Sequence, residues 1–337
     1  MRGRLVTVKE VAELSGVSVS TVSHVVNGTR FVSEGLKNRV LSAMEQLHYR
    51  PNRLAKSLRS KHTSSLGLLI ADITNPYYSE MAWNIEYLCY LQNYSVMLCN
   101  SDGSPSKEEF YINRLMEWQV DGIIIISPAV LPARINGLLT MDLPVILIDS
   151  DSQDYGLDSV SVDNFSGGVM AANHLISLGH KRIACINGAR ENVTNNERVN
   201  GFRSAMEAAG LDVDEDLIVT SDFEVVCGMQ NALKLLDNET PPTAIFACGD
   251  LLAYGAVQAV YSKGLKVPQD LSIVGFDDIY LSKYTVPPLT TIKQPLYELS
   301  EEAVNCFFDR MENPDRVARK IRLDLQLEIR GSTAPLM

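Results

Sequence analysis

The sequence predicts an all-α headpiece followed by an α/β region of two doubly wound lobes, each built on a parallel sheet. Two observations lead to this fold class. Residues 7–50 carry helix caps and helical spacing of apolar residues. From about Ser65, short apolar runs alternate with amphipathic helical stretches, which is typical of parallel strands covered on both faces. The length of 337 residues suits two or three domains.

The first headpiece helix is predicted from a capping box. Thr7 and Glu10 have the spacing at which each side chain can accept from the other's backbone N–H. Gly16 permits a tight turn after this helix. The predicted apolar stripe consists of Val8, Val11, Ala12 and Leu14.

Two further helices complete the headpiece. Ser18 can cap a second helix over about 19–26, which Asn27-Gly28 closes. Ser33 can cap a third helix over about 34–47, and Pro51 ends the unit. The residues of this third helix expected to point inward are Leu36, Val40, Leu41, Met44 and Leu47.

Strands and helices then alternate to the end of the chain. About ten strands over some 270 residues fit two lobes better than one sheet. The apolar runs predicted as strands are 66–71, 95–99, 122–126, 144–148, 159–162, 182–186, 244–248 and 272–276. The predicted helices are 79–92, 106–118, 166–178, 195–209, 225–236, 250–263 and 295–312.

Charge is distributed unevenly along the chain. The formal net charge is −11, but residues 1–62 hold 11 Lys and Arg against 4 acids and so carry +7, which leaves −18 on the remainder. A small basic segment on a large acidic body indicates a nucleic-acid-binding module attached to another domain. A solvated charged face is the alternative explanation of the charge alone.

Several function classes find no support in the sequence. The six cysteines are scattered, which favours buried reduced thiols over a metal site, and no cofactor is expected. No P-loop, G-x-G-x-x-G or G-x-S-x-G motif is present, so we expect the protein not to be an enzyme. Since no apolar run suits a bilayer span or a signal peptide, a cytoplasmic protein without membrane contact is expected.

Residues 7–28 have the pattern of a helix, a glycine-containing turn and a second helix. Such a second helix can lie in the DNA major groove with its first residues at the base edges. Val19 can contact a thymine methyl group, and Ser20 and His24 can bond to bases. Thr21 can hold a phosphate, and Arg30 can reach a guanine or a phosphate. A three-helix bundle without DNA binding is the alternative.

The chain resembles the lactose/galactose repressor family of transcription regulators, and its headpiece motifs are closest to the ribose and purine repressors. In the headpiece the resemblance rests on T-V-S-H-V-V-N-G (21–28), R-F-V-S-E (30–34) and Y-R-P-N-R-L-A-K-S-L-R (49–59). It continues through L-G-L-L-I (66–70), N-P-Y-Y (75–78), V-D-G-I (120–123), G-H-K-R-I-A (179–184), V-G-F-D-D (274–278) and P-P-L-T-T-I-K-Q-P (287–295).

The resemblance implies a second DNA contact in the linker. In the family, two linker segments fold into short hinge helices in the minor groove, where a leucine wedges between base steps. That leucine matches Leu58, although a linker leucine can also pack on its own lobe. The full set of DNA-binding residues is then Thr7, Val19, Ser20, Thr21, His24, Asn27, Arg30, Asn52, Ala55, Leu58 and Arg59.

The resemblance also implies the domain plan and the assembly. The headpiece would span 1–50, the hinge 51–63 and the effector-binding and dimerisation domain 64–337. Its N-lobe would cover about 64–162 and 293–323, and its C-lobe about 163–290 and 324–337, as in periplasmic sugar-binding proteins. A homodimer or a tetramer on palindromic operator DNA is expected, because one short helix reads only one half-site.

Ligands of such folds lie beyond the carboxyl ends of the strands. By resemblance, four candidate residues match positions that contact ligand in both the ribose and the purine sensors, namely Tyr77, Arg198, Phe223 and Asp277. Three match the ribose-type pattern, namely Asn75, Asp149 and Gln294. Asp277 could instead cap the next helix, and Arg198 could form a structural ion pair.

Departures from the family leave the effector open. Gly249 stands where sugar sensors often carry Asn, Ser150 replaces an Arg of ribose-binding proteins, and Asn192 replaces an Arg of purine sensors. We expect a repressor controlled by a sugar such as ribose or another pentose. A purine-responsive repressor with a corepressor is the main alternative, and a transport protein that binds sugar or an enzyme is less favoured.

Overall fold

The computed structural model describes residues 6–27, 30–49, 62–126, 143–149, 156–188 and 193–336. The chain divides into two compact units, Met1–Thr63 and Ser64–Met337. Each unit has its own hydrophobic core.

The first unit contains three helices: α1 (Val8–Ser15), α2 (Val19–Asn27) and α3 (Glu34–Gln46). The predicted capping box is present, since Glu10 N donates to Thr7 Oγ1 at 3.4 Å and Thr7 N donates to Glu10 Oε2 at 2.7 Å. Gly16 ends α1 with φ +63°, the left-handed conformation that glycine adopts without strain.

Three details of the headpiece prediction are wrong. Leu14 is 51% exposed and Leu41 is 46% exposed, because each lies off the i, i+3, i+4 stripe of its helix. Ser15 and Ala43 occupy the buried positions instead, and Ser15 Oγ donates to Val11 O at 2.6 Å. Ser33 makes no side-chain cap bond, and its backbone carbonyl receives the N–H groups of Leu36 and Lys37.

The second unit begins with a six-stranded, all-parallel sheet in the order β11-β5-β4-β3-β1-β2. Its strands are β1 (Ser65–Ile70), β2 (Ser95–Asn100), β3 (Gly122–Ile126), β4 (Val145–Ile148), β5 (Asp158–Val162) and β11 (Lys320–Leu323). The described helices of this lobe are α4 (Pro76–Leu91), α5 (Pro105–Glu117) and α10 (Leu296–Glu312).

A second six-stranded sheet has the order β12-β10-β9-β8-β6-β7, in which only β12 is antiparallel to its neighbour. Its strands are β6 (Ile183–Asn187), β7 (Ile218–Thr220), β8 (Ala244–Ala247), β9 (Ser272–Asp277), β10 (Thr290–Lys293) and β12 (Gln326–Glu328). The accompanying helices are α6 (Asn164–Ser177), α7 (Val193–Ala208), α8 (Val225–Leu236) and α9 (Asp250–Ser262).

The predicted fold class is confirmed. Within the described residues, four strands were not in the predicted set, namely β7, β10, β11 and β12. Of these, β11 and β12 lie at sheet edges, and their side chains are half-buried or exposed. An edge strand needs no continuous apolar run, so neither has the pattern by which the inner strands were found.

The chain passes between the two sheets three times, after β5, after β10 and after β11. In each sheet, the carboxyl ends of the parallel strands lie at the same edge. The loops that follow these strands can therefore bring together side chains from distant parts of the sequence. Within the described residues, no helix is long and apolar enough to span a membrane.

Candidate functional site

The start of α2 presents a small polar and apolar surface. Val19 is 42% exposed and Ser20 is exposed, while Thr21 and His24 are half-buried. Ser18 caps the helix as predicted, because its Oγ accepts from Thr21 N at 3.1 Å. The Ser18 hydroxyl also lies 2.7 Å from Ser20 Oγ and 2.8 Å from Thr21 Oγ1, which orders three hydroxyls at the helix N-terminus. Hydroxyls and backbone N–H groups at such an end suit a phosphate.

Arg39 of α3 fixes the turn before α2, a role that the sequence analysis missed. Its Nη2 donates to Ser15 O at 2.5 Å and to Gly16 O at 3.2 Å. A Cβ atom at Gly16 would lie 2.5 Å from the same nitrogen, so the guanidinium packs closely on the turn. The only signal in the sequence was a basic residue among many in the headpiece.

The other candidate DNA-binding residues differ in exposure, and some lie outside the described residues. Thr7 is engaged in the cap of α1, and Arg30 is exposed. Phe31, next to it, is 93% exposed and was not among the predicted residues. The side chain of Asn27 lies outside the described residues, as do Asn52, Ala55, Leu58 and Arg59.

Three candidate effector-binding residues follow strands of the first sheet. Asn75 is the N-cap of α4, where its Oδ1 accepts from Tyr77 N at 3.0 Å. This bond orients the start of the helix, and the Tyr77 side chain is buried in the hydrophobic cluster of the first sheet. Asp149 comes directly after β4 in the left-handed conformation, with φ +60°.

Arg198 of α7 contacts residues at the carboxyl ends of strands β8 and β9. Its Nε donates to Asn164 Oδ1 at 2.7 Å, and its Nη1 donates to Cys248 O at 2.7 Å. Nη1 also lies 3.4 Å from Asp277 Oδ1, and the guanidinium carbon lies 3.6 Å from the centre of the Phe276 ring. The guanidinium is buried, and these contacts hold it in a fixed orientation.

Asp277 ends β9 with φ +110° and receives two donors. Gln294 Nε2 donates to its Oδ1 at 2.8 Å, and Arg198 is the second donor. Burial raises the pKa of Asp277 above the ordinary range, although Arg198 and Gln294 act in the opposite direction. The following 3₁₀ helix has Ile279 as its N-cap, so Asp277 does not cap it. The ion pair considered as an alternative for Arg198 is present, with another predicted site residue as its partner.

Charged residues at the strand ends of both sheets affect the pKa of Tyr77. The pKa of Tyr77 is raised well above its ordinary value, first by burial and then by the negative charges of Asp149 and Asp277, while Arg198 opposes the shift. Residues of both lobes therefore lie within electrostatic reach of one phenol. Together with Gln294, these residues are the candidates for an effector site to which both sheets would contribute.

Four buried polar atoms of this region have no hydrogen-bond partner among the described residues. They are Tyr77 Oη, Asn164 Nδ2, Asn187 Oδ1 and Gln294 Oε1. Because such an atom costs about 1–3 kcal/mol when it stays unpaired, a ligand with several donors and acceptors would be stabilised here. The sequence analysis missed two of them, although Asn187 is the last residue of β6 and Asn164 is the first residue of α6.

Phe223 packs on two glycines. A Cβ atom would lie 1.9 Å from its ring at Gly188 and 2.2 Å from its ring at Gly249. The half-buried ring therefore covers the backbone after β6 and after β8 and leaves no space there for a larger residue. This packing accounts for glycine at position 249, where an asparagine was noted as typical of sugar sensors. The other two departures, Ser150 and Asn192, lie outside the described residues.

Comparison with protein families gives two matches. Residues 7–52 match the family described as bacterial regulatory proteins, lacI family. Residues 172–333 match the periplasmic binding protein-like domain.

Two curated relatives cover nearly the whole chain. The HTH-type transcriptional repressor PurR of Histophilus somni (strain 129Pt) is 38% identical over 333 residues, which are 98% of this chain and 100% of the relative. The ribose operon repressor of Escherichia coli (strain K12) is 38% identical over 329 residues, which are 97% of this chain and 100% of the relative.

Two solved structures are also similar. A LacI family transcriptional regulator from Enterococcus faecium with bound ribose is 35% identical, with a TM-score of 0.75 over 81% of this chain and 100% of that chain. A lac repressor dimer bound to operator and an anti-inducer is 27% identical, with a TM-score of 0.88 over 98% of this chain and 100% of that chain.

Proposed function

This chain belongs to the LacI family of bacterial regulatory proteins, and from this premise we propose how its residues serve operator binding and effector binding. It is a DNA-binding repressor that responds to a small-molecule effector. Its curated relatives are transcriptional repressors, which agrees with a regulatory rather than a catalytic role.

The proposed operator contact is made by the exposed start of α2. Val19, Ser20 and His24 lie within one and a half turns of each other on this helix and can reach base edges in the major groove. The ordered hydroxyls of Ser18 and Thr21 and the exposed Arg30 would bind phosphates. Thr7, the N-cap of α1, would hold the N-terminus of this helix in place beside the DNA backbone. The contacts proposed for Asn27 of α2 and for the hinge residues Asn52, Ala55, Leu58 and Arg59 rest on the sequence resemblance.

The proposed effector is a sugar, with a pentose such as ribose as the first candidate. One observation carries this proposal: Tyr77 Oη, Asn164 Nδ2 and Gln294 Oε1 are buried without a hydrogen-bond partner among the described residues, and their residues bond to or interact electrostatically with the Arg198–Asp277 pair. They include acceptors and a donor, and sugar hydroxyls can serve both. The exposed part of the Phe223 ring would stack on one face of the sugar. A ribose-bound relative at 35% identity supports this choice.

A purine corepressor is the alternative effector. It is favoured by the PurR relative, whose identity of 38% equals that of the ribose operon repressor. A flat base could stack on Phe223, and Arg198 could donate to its oxygen. The two effectors predict opposite responses under this proposal, because a sugar inducer releases operator DNA and a purine corepressor strengthens its binding.

The deciding experiment is operator binding by fluorescence anisotropy at fixed salt. A palindrome from upstream of the gene would be titrated with the full chain in the presence of D-ribose, related sugars, hypoxanthine or guanine. Release of the DNA by a sugar supports the sugar proposal and the assignment of Asn75, Asp149 and Gln294. Tighter operator binding in the presence of a purine would reject the sugar proposal and support a purine corepressor. If no tested compound changes the affinity, both effector classes are rejected for this cleft.

A further inference from the structure

The loop between β9 and β10 has an unusual backbone at its start. Asp277 and Asp278 are consecutive and both have positive φ, at +110° and +54°. Residues other than glycine uncommonly have positive φ, and the surrounding contacts then help to hold them in that conformation. Besides the direct bonds from Gln294 and Arg198, the contacts of the next residues therefore help to position the Asp277 carboxylate.

The first anchor of this loop belongs to its own lobe. Asp250, the first residue of α9, is fully buried. Its Oδ2 accepts from Ile279 N at 3.0 Å and from Ser282 Oγ at 2.5 Å, and its Oδ1 accepts from Thr291 Oγ1 at 2.6 Å. One carboxylate thus joins the loop to strand β10 and to helix α9.

Two further anchors belong to the other lobe. Ile279 is 1% exposed and is part of the same buried cluster as Tyr77 and Met81 of α4. The next amide, Tyr280 N, donates to Glu80 Oε1 of α4 at 2.7 Å. A loop that ends a strand of the second sheet is thereby fixed to a helix of the first.

We propose that residues 277–282 form an interlobe clasp in which Glu80 and Asp250 are positioning residues for the effector. Glu80 sets the loop against the lobe that supplies Asn75 and Tyr77, and Asp250 sets it against the lobe that supplies Arg198. Asp277 is then presented to the effector in one orientation relative to both. The inference deepens the proposed effector site and rests on it.

The physical reason is pre-organisation. An effector that bonds to Asp277 and to residues of α4 must hold the two lobes in one arrangement, and it loses affinity if it also has to order the loop between them. The Tyr280–Glu80 bond orders that loop beforehand. Because an effector can act on operator binding only through its different affinity for two arrangements, a looser clasp also weakens the effect of the effector on the DNA.

Three variants of the full chain separate this role from general stability. Glu80→Ala removes the acceptor for Tyr280 N. Glu80→Gln keeps an acceptor oxygen at the same distance along the side chain. Glu86→Ala removes an exposed glutamate from the same helix and serves as the matched control.

Amide hydrogen exchange without any ligand tests the clasp itself. We expect exchange at Tyr280 N to be at least about tenfold faster in Glu80→Ala, because one hydrogen bond protects it, with wild-type rates in Glu80→Gln and Glu86→Ala. Unchanged exchange in Glu80→Ala would overturn the clasp, whatever the effector is.

Binding of D-ribose by calorimetry and its release of operator DNA test the positioning role. We expect about three- to tenfold weaker ribose binding and a smaller release of DNA in Glu80→Ala, with both restored in Glu80→Gln. Faster exchange with unchanged ribose affinity and DNA release would reject the positioning role. If the wild type itself ignores ribose, the sugar assignment fails, and the exchange measurement alone decides the clasp.

Discussion

At the scale of single residues, the Asp277 carboxylate has the most direct role in the proposed cleft. It is buried, it receives Gln294 and Arg198, and it lies close enough to Tyr77 to affect that residue's pKa. Arg198 is buried as well and bonds to Asn164 and Cys248, so its position does not depend on Asp277 alone. A change at Asp277 should therefore alter ligand recognition more than it alters the fold.

Asp277→Asn should weaken effector binding by about ten- to a hundredfold, because a charge-assisted hydrogen bond contributes roughly 1.5–3 kcal/mol. Operator affinity without effector should stay within about twofold of the wild type. Calorimetry with D-ribose and anisotropy with the operator measure the two quantities. Asp212→Asn, which changes an exposed aspartate of the same lobe, is the control. Equal ribose affinity in both variants would show that the cleft is assigned to the wrong residues.

Asp250 gives a prediction about pH. Burial raises the pKa of Asp250 well above the ordinary range, and the negative charge of Asp277 raises it further. The folded protein then keeps a proton that the unfolded chain releases, so stability is lost as the pH rises from the ordinary aspartate pKa through the raised one. An asparagine amide can satisfy the same partners, since its oxygen can accept from Ile279 N and its NH₂ can donate to Thr291.

We therefore expect the melting temperature of the wild type to fall more between pH 5 and pH 8.5 than that of Asp250→Asn. Scanning calorimetry at several pH values measures the difference between the two curves, in which the contributions of other titrating groups largely cancel. Asp212→Asn should follow the wild type. Parallel curves for the wild type and Asp250→Asn would mean that Asp250 ionises in the folded protein as it does in the unfolded chain.

At the scale of elements, the headpiece depends on how α2 is held relative to the turn before it. The helix cap at Ser18 and the left-handed Gly16 are local features that the sequence predicted. Arg39 adds a non-local contact, because it reaches from α3 to the carbonyls of Ser15 and Gly16. The recognition surface at Val19 and Ser20 is thus supported from outside its own helix.

Arg39→Ala and His24→Ala should affect DNA binding in different ways. Loss of the Arg39 bonds loosens the turn, so the operator and a random duplex should both be bound more weakly, by up to about tenfold. His24→Ala removes a proposed base contact, so the operator should lose about five- to a hundredfold and random DNA should lose little. Anisotropy titrations with both duplexes at one salt concentration measure the ratio. Equal losses on both duplexes for His24→Ala would contradict its role as a base contact.

At the scale of the whole molecule, two lobes and a headpiece form one repressor. We propose that it acts as a homodimer, because one short helix reads only one half-site and so gives little sequence specificity. The similar lac repressor structure is a dimer bound to operator. A dimer with two clefts and one operator must obey linkage between its ligands.

Operator DNA should therefore weaken sugar binding by the same factor, per bound sugar, by which the sugar weakens operator binding. Sugar titrations by calorimetry, with and without saturating operator, give the first factor, and anisotropy gives the second. A random duplex of equal length is the control and should leave the sugar affinity unchanged. Clearly different factors would mean that the sugar acts on operator binding by another route.

The sequence by itself determined the features that depend on local pattern. Helix caps, the glycine turn and buried apolar strands are encoded within a few residues, so the fold class and most elements were predicted correctly. The resemblance supplied the candidate site residues, of which the structure brings Tyr77, Asp149, Arg198, Asp277 and Gln294 together.

Only the tertiary structure decided the features that depend on contacts between distant segments. The edge strands β11 and β12 are defined by their partners rather than by an apolar run. Asn164 and Asn187 become site candidates because the fold buries one polar atom of each without a partner. Glu80 and Tyr280 are 200 residues apart, so no local sequence pattern predicts the hydrogen bond between them. Short-range periodicity records which face of an element is buried, whereas the choice of its partner is made by the packed chain as a whole.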